Sequence, residues 1–180
     1  IYYPSLVVTS DFDCTDEFVA IVEVNEFPLA NFLVENNCEG EWNKFTDIST
    51  ILNGSINSWE FIFGDGALNG NLSTEQHQYT SAGTYNVTLN IVSDKGCESS
   101  IVKESKVYDA PLVDFSSEQY CLDIPTYFTD FSTLNNGNIV QWEWAFGDGV
   151  GTANFEHPTY VFANPGTYVV NLLATTDFGC

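Results

Sequence analysis

Self-similarity constrains this chain more than any other feature. Displaced by 83 positions, the sequence meets itself: Cys14 falls on Cys97, Cys97 on Cys180, Cys38 on Cys121 and Trp59 on Trp142. Gly64-Asp65-Gly66 falls on Gly147-Asp148-Gly149, and Gly83-Thr84-Tyr85 on Gly166-Thr167-Tyr168. Phe45-Thr46-Asp47 falls on Phe128-Thr129-Asp130, and Pro28 on Pro111. Rare residues do not coincide at one offset by chance, and a fixed period of this kind marks repeated structural units. The period assigns residues 1–28 to the tail of a preceding module, 29–110 to a complete module, and 111–180 to a module lacking its last strand. Both ends fall inside a module, so the chain is expected to be a window on something longer. The joints are Glu26-Phe27-Pro28 and Asp109-Ala110-Pro111. Joints this short imply a fairly stiff array.

Inside each unit the hydrophobic period is 2, not 3.6, which is the signature of strands. Trp59, Phe61 and Phe63 occupy alternate positions, as do Trp142, Trp144 and Phe146. Tyr85, Val87, Leu89 and Ile91 alternate with polar residues, and Tyr168, Val170, Leu172 and Ala174 repeat that pattern. Val102, Glu104, Lys106 and Tyr108 read as the outward half of a last strand. No amphipathic helix is recognisable. Asp-Gly pairs at 65–66 and 148–149 supply turns in which φ > 0 is tolerated. Tyr85 and Tyr168, each just after a glycine turn, fit a tyrosine corner. The fold class is therefore all-β, with tandem immunoglobulin-like sandwiches of about 80 residues each.

Composition narrows the function. The net charge is -21, with 25 acidic residues against four lysines and no arginine. Such a surface cannot neutralise phosphates, so nucleic acid is excluded as a partner, and adhesion to anionic lipid is disfavoured. No stretch reaches the ~18 apolar residues of a membrane span, and no signal peptide is recognisable.

The five cysteines also follow the repeat. Cys38 to Cys97 and Cys121 to Cys180 are each separated by 59 positions. One disulfide per module is expected from this, leaving Cys14 for a partner outside the window. The alternative is five free thiols in a reducing compartment. A bridge of this span stabilises by ~4 kcal/mol in the chain-entropy account and suits an oxidising compartment. Metal binding by the cysteines is disfavoured because no C-x-x-C occurs.

Trp59-Glu60-Phe61-Ile62-Phe63-Gly64-Asp65-Gly66 and Trp142-Glu143-Trp144-Ala145-Phe146-Gly147-Asp148-Gly149 resemble the W-x-W-x-F-G-D-G signature of PKD (polycystic kidney disease) domains. His77-Gln78-Tyr79 with Ala82-Gly83-Thr84-Tyr85, and His157-Pro158-Thr159-Tyr160 with Pro165-Gly166-Thr167-Tyr168, resemble the downstream half of that signature. The cysteine-containing form is similar to PKD arrays in large surface and gliding adhesin-like proteins of Bacteroidota. The resemblance implies an extracellular or cell-surface location and a spacer, adhesin or filament-forming role. It equally implies the other setting of PKD domains, as accessory modules of secreted chitinases and proteases. The family often carries an Asp just before F-G-D-G where this chain has Ile62 and Ala145.

The residue types that look chemical have structural readings. Asp65 and Asp148 suit a cation, but an Asp in a Gly-Asp-Gly turn commonly caps that turn through its own side chain. Asp11, Asp13, Asp16 and Glu17 form an acidic run without the glycine and terminal glutamate of an EF-hand loop. His77 and His157 have no nucleophile or third partner recurring beside them. No cofactor is expected, and Ca2+ is the one ion that the acidic segments leave open. Trp59 and Trp142 read as core, whereas Trp42 stands outside the repeated pattern as a carbohydrate-contact candidate. The expected function is a non-catalytic extracellular structural or adhesive array. Its partners would be neighbouring modules, further copies in a filament, or a glycan or cell-surface ligand. The alternative is a binding accessory to a secreted hydrolase.

Overall fold

The computed structural model describes residues 1–67, 69–118 and 121–180. Every regular element among them is a strand. The chain begins with a hairpin of β1 (Ser5–Thr9) and β2 (Thr15–Val19). A first sandwich follows. One of its sheets orders β3 (Phe32–Glu35), β4 (Trp42–Asp47) and β6 (Thr74–Gln78), and the other orders β5 (Ile56–Ile62), β7 (Gly83–Ser93) and β8 (Glu98–Val107). The second sandwich pairs β10 (Thr126–Asp130) with β9 (Phe115–Ser117) and β13 (Thr159–Tyr160). Facing it, β11 (Ile139–Ala145) lies between β12 (Thr152–Ala153) and β14 (Asn171–Thr176). All named pairings are antiparallel.

Alternation drives the packing. Because side chains on a strand point to opposite faces in turn, Val87, Leu89 and Ile91 of β7 reach the core, as does Phe61 of β5, all without solvent exposure. Phe32, Phe45, Phe63 and Tyr79 close the same core from the facing sheet and the β5 end. Lys103 ties the sheets from outside that core: its Nζ donates to Asn31 Oδ1 at 2.7 Å and to the Phe32 carbonyl. In the second sandwich Phe128, Trp144 and Phe146 are buried, with Trp142, Tyr160, Phe162, Val170 and Leu172 packed partly against them. The expected outward residues of β8, Val102, Glu104 and Lys106, are exposed. Tyr108 is not: it leaves the strand and stacks on Phe178 of the second sandwich, with ring centroids 4.4 Å apart.

The cysteine pairing differs from the expectation of Cys38–Cys97 and Cys121–Cys180. The disulfide joins Cys38 to Cys180, and Cys14, Cys97 and Cys121 are free. Strand direction is the reason. Cys38 bridges to Tyr108, just past the end of β8, whereas Cys97 sits in the turn that begins it. The ten residues of β8 separate those two points by roughly 33 Å, far beyond the ~7 Å that Cα atoms of a disulfide tolerate. Cys180 lies in the matching turn of the following sandwich, which abuts the end of the first. The bond therefore crosses the joint, closing a loop of 142 residues. Chain entropy assigns such a loop about 5 kcal/mol of stabilisation.

The joint is held by more than sulfur. Glu39 accepts from the backbone N–H groups of Ala82 and Ala110 at 3.0 and 3.3 Å, strapping the linker to the first sandwich. Asp109, 9% exposed, accepts from Asn136 Nδ2 at 2.7 Å across to the second.

Candidate functional site

The recurring polar centre of each module is the Gly-Asp-Gly turn that ends β5 or β11. Its first glycine is fixed by close approach. A Cβ on Gly64 would stand 2.6 Å from the Asn86 carbonyl oxygen, and one on Gly147 would stand 2.2 Å from that of Val169. Both residues also have φ near +80° (84° and 79°), a region that favours glycine. The aspartate between the glycines then caps the turn, as the sequence suggests. Asp65 Oδ1 accepts from the Ala67 N–H at 3.1 Å, and Asp148 Oδ1 from those of Val150 and Gly151 at 3.1 and 2.8 Å.

The second carboxylate oxygen has a partner that the sequence analysis did not assign. In the first module His77 Nε2 lies 2.7 Å from Asp65 Oδ2. In the second, Tyr160 Oη donates to Asp148 Oδ2 at 2.5 Å. The structural counterpart of His77 is thus Tyr160, not His157. His157 serves elsewhere: its Nδ1 accepts from the Asp130 N–H at 3.1 Å.

Each of these donors is one rung of a four-ring ladder. Phe63 stacks on His77 at 4.2 Å, His77 meets Tyr79 edge-on at 4.5 Å, and Tyr79 stacks on Tyr85 at 4.0 Å. Phe146, Tyr160, Phe162 and Tyr168 repeat the geometry at 4.2, 4.9 and 4.2 Å. The last rung is the tyrosine corner: Tyr85 Oη donates to the Ser81 carbonyl and Tyr168 Oη to that of Asn164. Tyr79 Oη donates to the Phe63 carbonyl at 2.9 Å, and burial together with the Asp65 charge pushes its phenol well above the ordinary tyrosine range.

Electrostatics follow the hydrogen bonds. Burial opposes ionisation of Asp65, but the hydrogen bond to His77 and the Ala67 N–H outweigh it and hold the carboxyl below its usual value. For Asp148 the Tyr160 hydroxyl comes first, followed by the Gly151 and Val150 N–H groups, and again the carboxyl is lowered. The same bond raises the Tyr160 phenol.

A second aspartate in each module is equally occupied. Asp47 Oδ2 accepts from Trp59 Nε1 at 2.8 Å, and Asp130 Oδ2 from Trp142 Nε1 at 2.7 Å. The other oxygen of each receives the backbone N–H and hydroxyl of Ser49 or Ser132. Trp59 and Trp142 are therefore half-buried structural residues rather than open platforms. Trp42 does project, at 58% exposure. The other outward positions on its sheet, among them Lys44, Gln76 and Gln78, carry no second aromatic. Among the described residues no group of three or more His, Cys, Asp or Glu side chains could hold a metal ion, and no helix is long and apolar enough to cross a membrane.

A family model described as the PKD domain fits residues 25–107 and again 109–180. The chain belongs to the PKD domain family. The tandem PKD modules are similar to part of the pre-pro-metalloprotease PrtV of Vibrio cholerae, at 32% identity over 160 residues. That match takes in 86% of this chain and 17% of the protease, so the chain spans about a sixth of the length of the curated relatives it matches. Among solved structures, the PKD1 domain of Vibrio anguillarum Epp is 26% identical, covering 48% of this chain and all of that one, with a TM-score of 0.44. The PKD1 domain of V. cholerae PrtV is 30% identical, covering 47% of this chain and all of that one, with a TM-score of 0.42. Both relatives are Vibrio proteins, one of them, PrtV, a metalloprotease by name, rather than Bacteroidota adhesins.

Proposed function

We propose that the two PKD modules form a non-catalytic, covalently stiffened accessory segment of an extracellular hydrolase, holding its catalytic part at a defined distance from a macromolecular surface. The observation that carries this reading is the 32% identity over both modules to a metalloprotease of which they match only a small part. Supporting it, the side chains that resemble catalytic groups are consumed by their own fold. Asp65 and Asp148 cap turns, and His77 and Tyr160 are each committed to one of them. The disulfide across the joint suits an oxidising, extracellular setting.

Sedimentation with insoluble chitin, cellulose and fibrous protein tests the reading, with Trp42→Ala as the companion variant. Binding to one of these matrices without any hydrolysis is the expected result. Turnover of a peptide or glycan substrate by the 180-residue chain alone would overturn it.

A second reading, a surface stalk or filament of many such modules, is favoured by the module-crossing disulfide, which suits a load-bearing array. Electron microscopy separates the two: beaded fibres support the array, and isolated short particles support the accessory segment. Comparing calcium with chelator in the same images tests whether the acidic segments bind that ion.

A further inference from the structure

The five cysteines fall into two structural classes, each built by one turn. Cys14, Cys97 and Cys180 close three equivalent hairpin turns. The Cys14 N–H donates to Ser10 Oγ at 3.2 Å, that of Cys97 to Ser93 Oγ at 3.0 Å, and that of Cys180 to Thr176 Oγ1 at 3.1 Å. Their carbonyls accept in return from the backbone N–H of the same residues, Ser10, Ser93 and Thr176. The residue before each cysteine takes the left-handed conformation: Asp13 at φ 60°, Gly96 at 78° and Gly179 at 84°. Cys38 and Cys121 share a different turn. The Cys38 carbonyl accepts from the Glu41 N–H at 3.1 Å and that of Cys121 from the Ile124 N–H at 3.2 Å, with Gly40 and Asp123 at positive φ. One member of each class forms the observed bond, and the two lie in successive modules.

We infer that this bond is one link of a staggered covalent chain: the cysteine ahead of the Phe-Thr-Asp strand of each PKD module bonds to the hairpin cysteine of the module after it. Cys97 is then the acceptor half of a link from a module packed before the first sandwich. Cys121 is the donor half of a link to a module packed after the second. The partner is a further PKD module of this repeat, carrying the complementary cysteine in the same turn. Exposure agrees, since Cys121 and Cys14 are exposed and Cys97 is half-buried. Phe12 supplies a third sign. It occupies the turn position of Phe178, which stacks on Tyr108 beside the formed bond, and it is 85% exposed. The hairpin of Cys14 thus carries both the thiol and the ring with which such a joint is made. Closing each link oxidises two thiols to one disulfide. A disulfide-donating dithiol oxidant, or two-electron exchange with glutathione disulfide that releases two glutathione thiols, takes up the electrons and protons.

The test begins with the 180-residue chain folded in a glutathione redox buffer, denatured without reductant and labelled with maleimide. The staggered rule gives three labelled thiols, Cys14, Cys97 and Cys121, and Cys97→Ser lowers the number to two. Pairing within modules gives one, and the same variant raises it to two, which would overturn the proposal. An array with a second copy of residues 28–110 inserted between Ala110 and Pro111 then tests the open halves. Non-reducing peptide mapping is expected to join Cys38 of the first copy to Cys97 of the second, with three thiols still free. If the second-copy Cys97 stays reduced while Cys38 and Cys180 pair, the rule fails as a repeating one.

Discussion

The two modules place the same ladder around the same turn and differ in the group that finishes it. In the first, an imidazole meets the Asp65 carboxylate, and a phenol one rung away, Tyr79, secures the Phe63 carbonyl. In the second the phenol has moved to Tyr160, on the carboxylate itself, and the vacated rung is Phe162. The ladder thus specifies a flat ring at each level and a donor at the carboxylate, but not which chemistry provides it. The modules also differ in enclosure. Leu89 is fully buried between β5 and β8, whereas its counterpart Leu172 lies on β14, which has β11 on one side and no named strand on the other. Val87, Leu89, Ile91 and Ser93 are all buried on β7, whereas on β14 Ala174 and Thr176 are buried and Leu172 is half-buried.

The strongest test of this comparison is steric. Gly147→Ala and Gly64→Ala each force a methyl group into a backbone carbonyl and a disfavoured φ. Each is expected to cost about 3 kcal/mol or more, with Gly147→Ala the worse because its contact is closer. Urea denaturation monitored by tryptophan fluorescence checks both, and equal, small effects would show that the turn can relax. Leu89→Ala should cost about 3–4 kcal/mol, near the middle of the range for a fully enclosed leucine. Leu172→Ala should cost roughly half as much, because part of its side chain already faces water. Equal losses in denaturant midpoint would mean that β14 is covered in solution.

Donor exchange probes the carboxylate directly. Tyr160→Phe removes a hydrogen bond to a charged group and should lower the denaturant midpoint by a small, measurable amount. His77→Tyr, which copies the second module into the first, should change stability by less than that. A large loss from His77→Tyr would show that the two ladders are not interchangeable. The smallest expected effect is in pH. Asp65 and Asp148 have folded-state values below their unfolded ones. Their contribution is therefore complete above the unfolded value of about 3.9 and is lost as pH falls through the lower folded values. Thermal midpoints should decline below about pH 4, and the decline should be shallower in an Asp65→Asn, Asp148→Asn double variant.

Alternation and turn chemistry made the fold legible. Trp59-x-Phe61-x-Phe63 and Tyr85-x-Val87-x-Leu89-x-Ile91 have only one face that can enter a core, and Gly-Asp-Gly has few conformations open to it. Two things stayed hidden. A periodic sequence presents the same cysteine spacing within a module and, one period longer, across the joint, so spacing alone cannot choose between them. The choice lies in β8, whose length carries Cys97 away from Cys38 and places the hairpin of the next module beside it. The partner of Asp148 was hidden because the second module contains a histidine nearby. His157 resembles His77 in type and draws the eye, although the 83-residue offset itself places Tyr160 on His77, and the structure puts Tyr160 on the carboxylate.

The staple across the joint also redraws the path that mechanical force would follow. Tension applied at the two ends of this chain passes from Cys38 to Cys180 through sulfur, and the backbone between them carries none of it. That bypassed stretch covers 142 residue steps, about 480 Å of contour at ~3.4 Å per residue. Both sandwiches lie largely within it, so pulling would extend only what precedes Cys38, the leading hairpin and β3 among it. Only a reductant would release the remainder, which makes the extensibility of this segment a property of its redox surroundings rather than of its β-sheets.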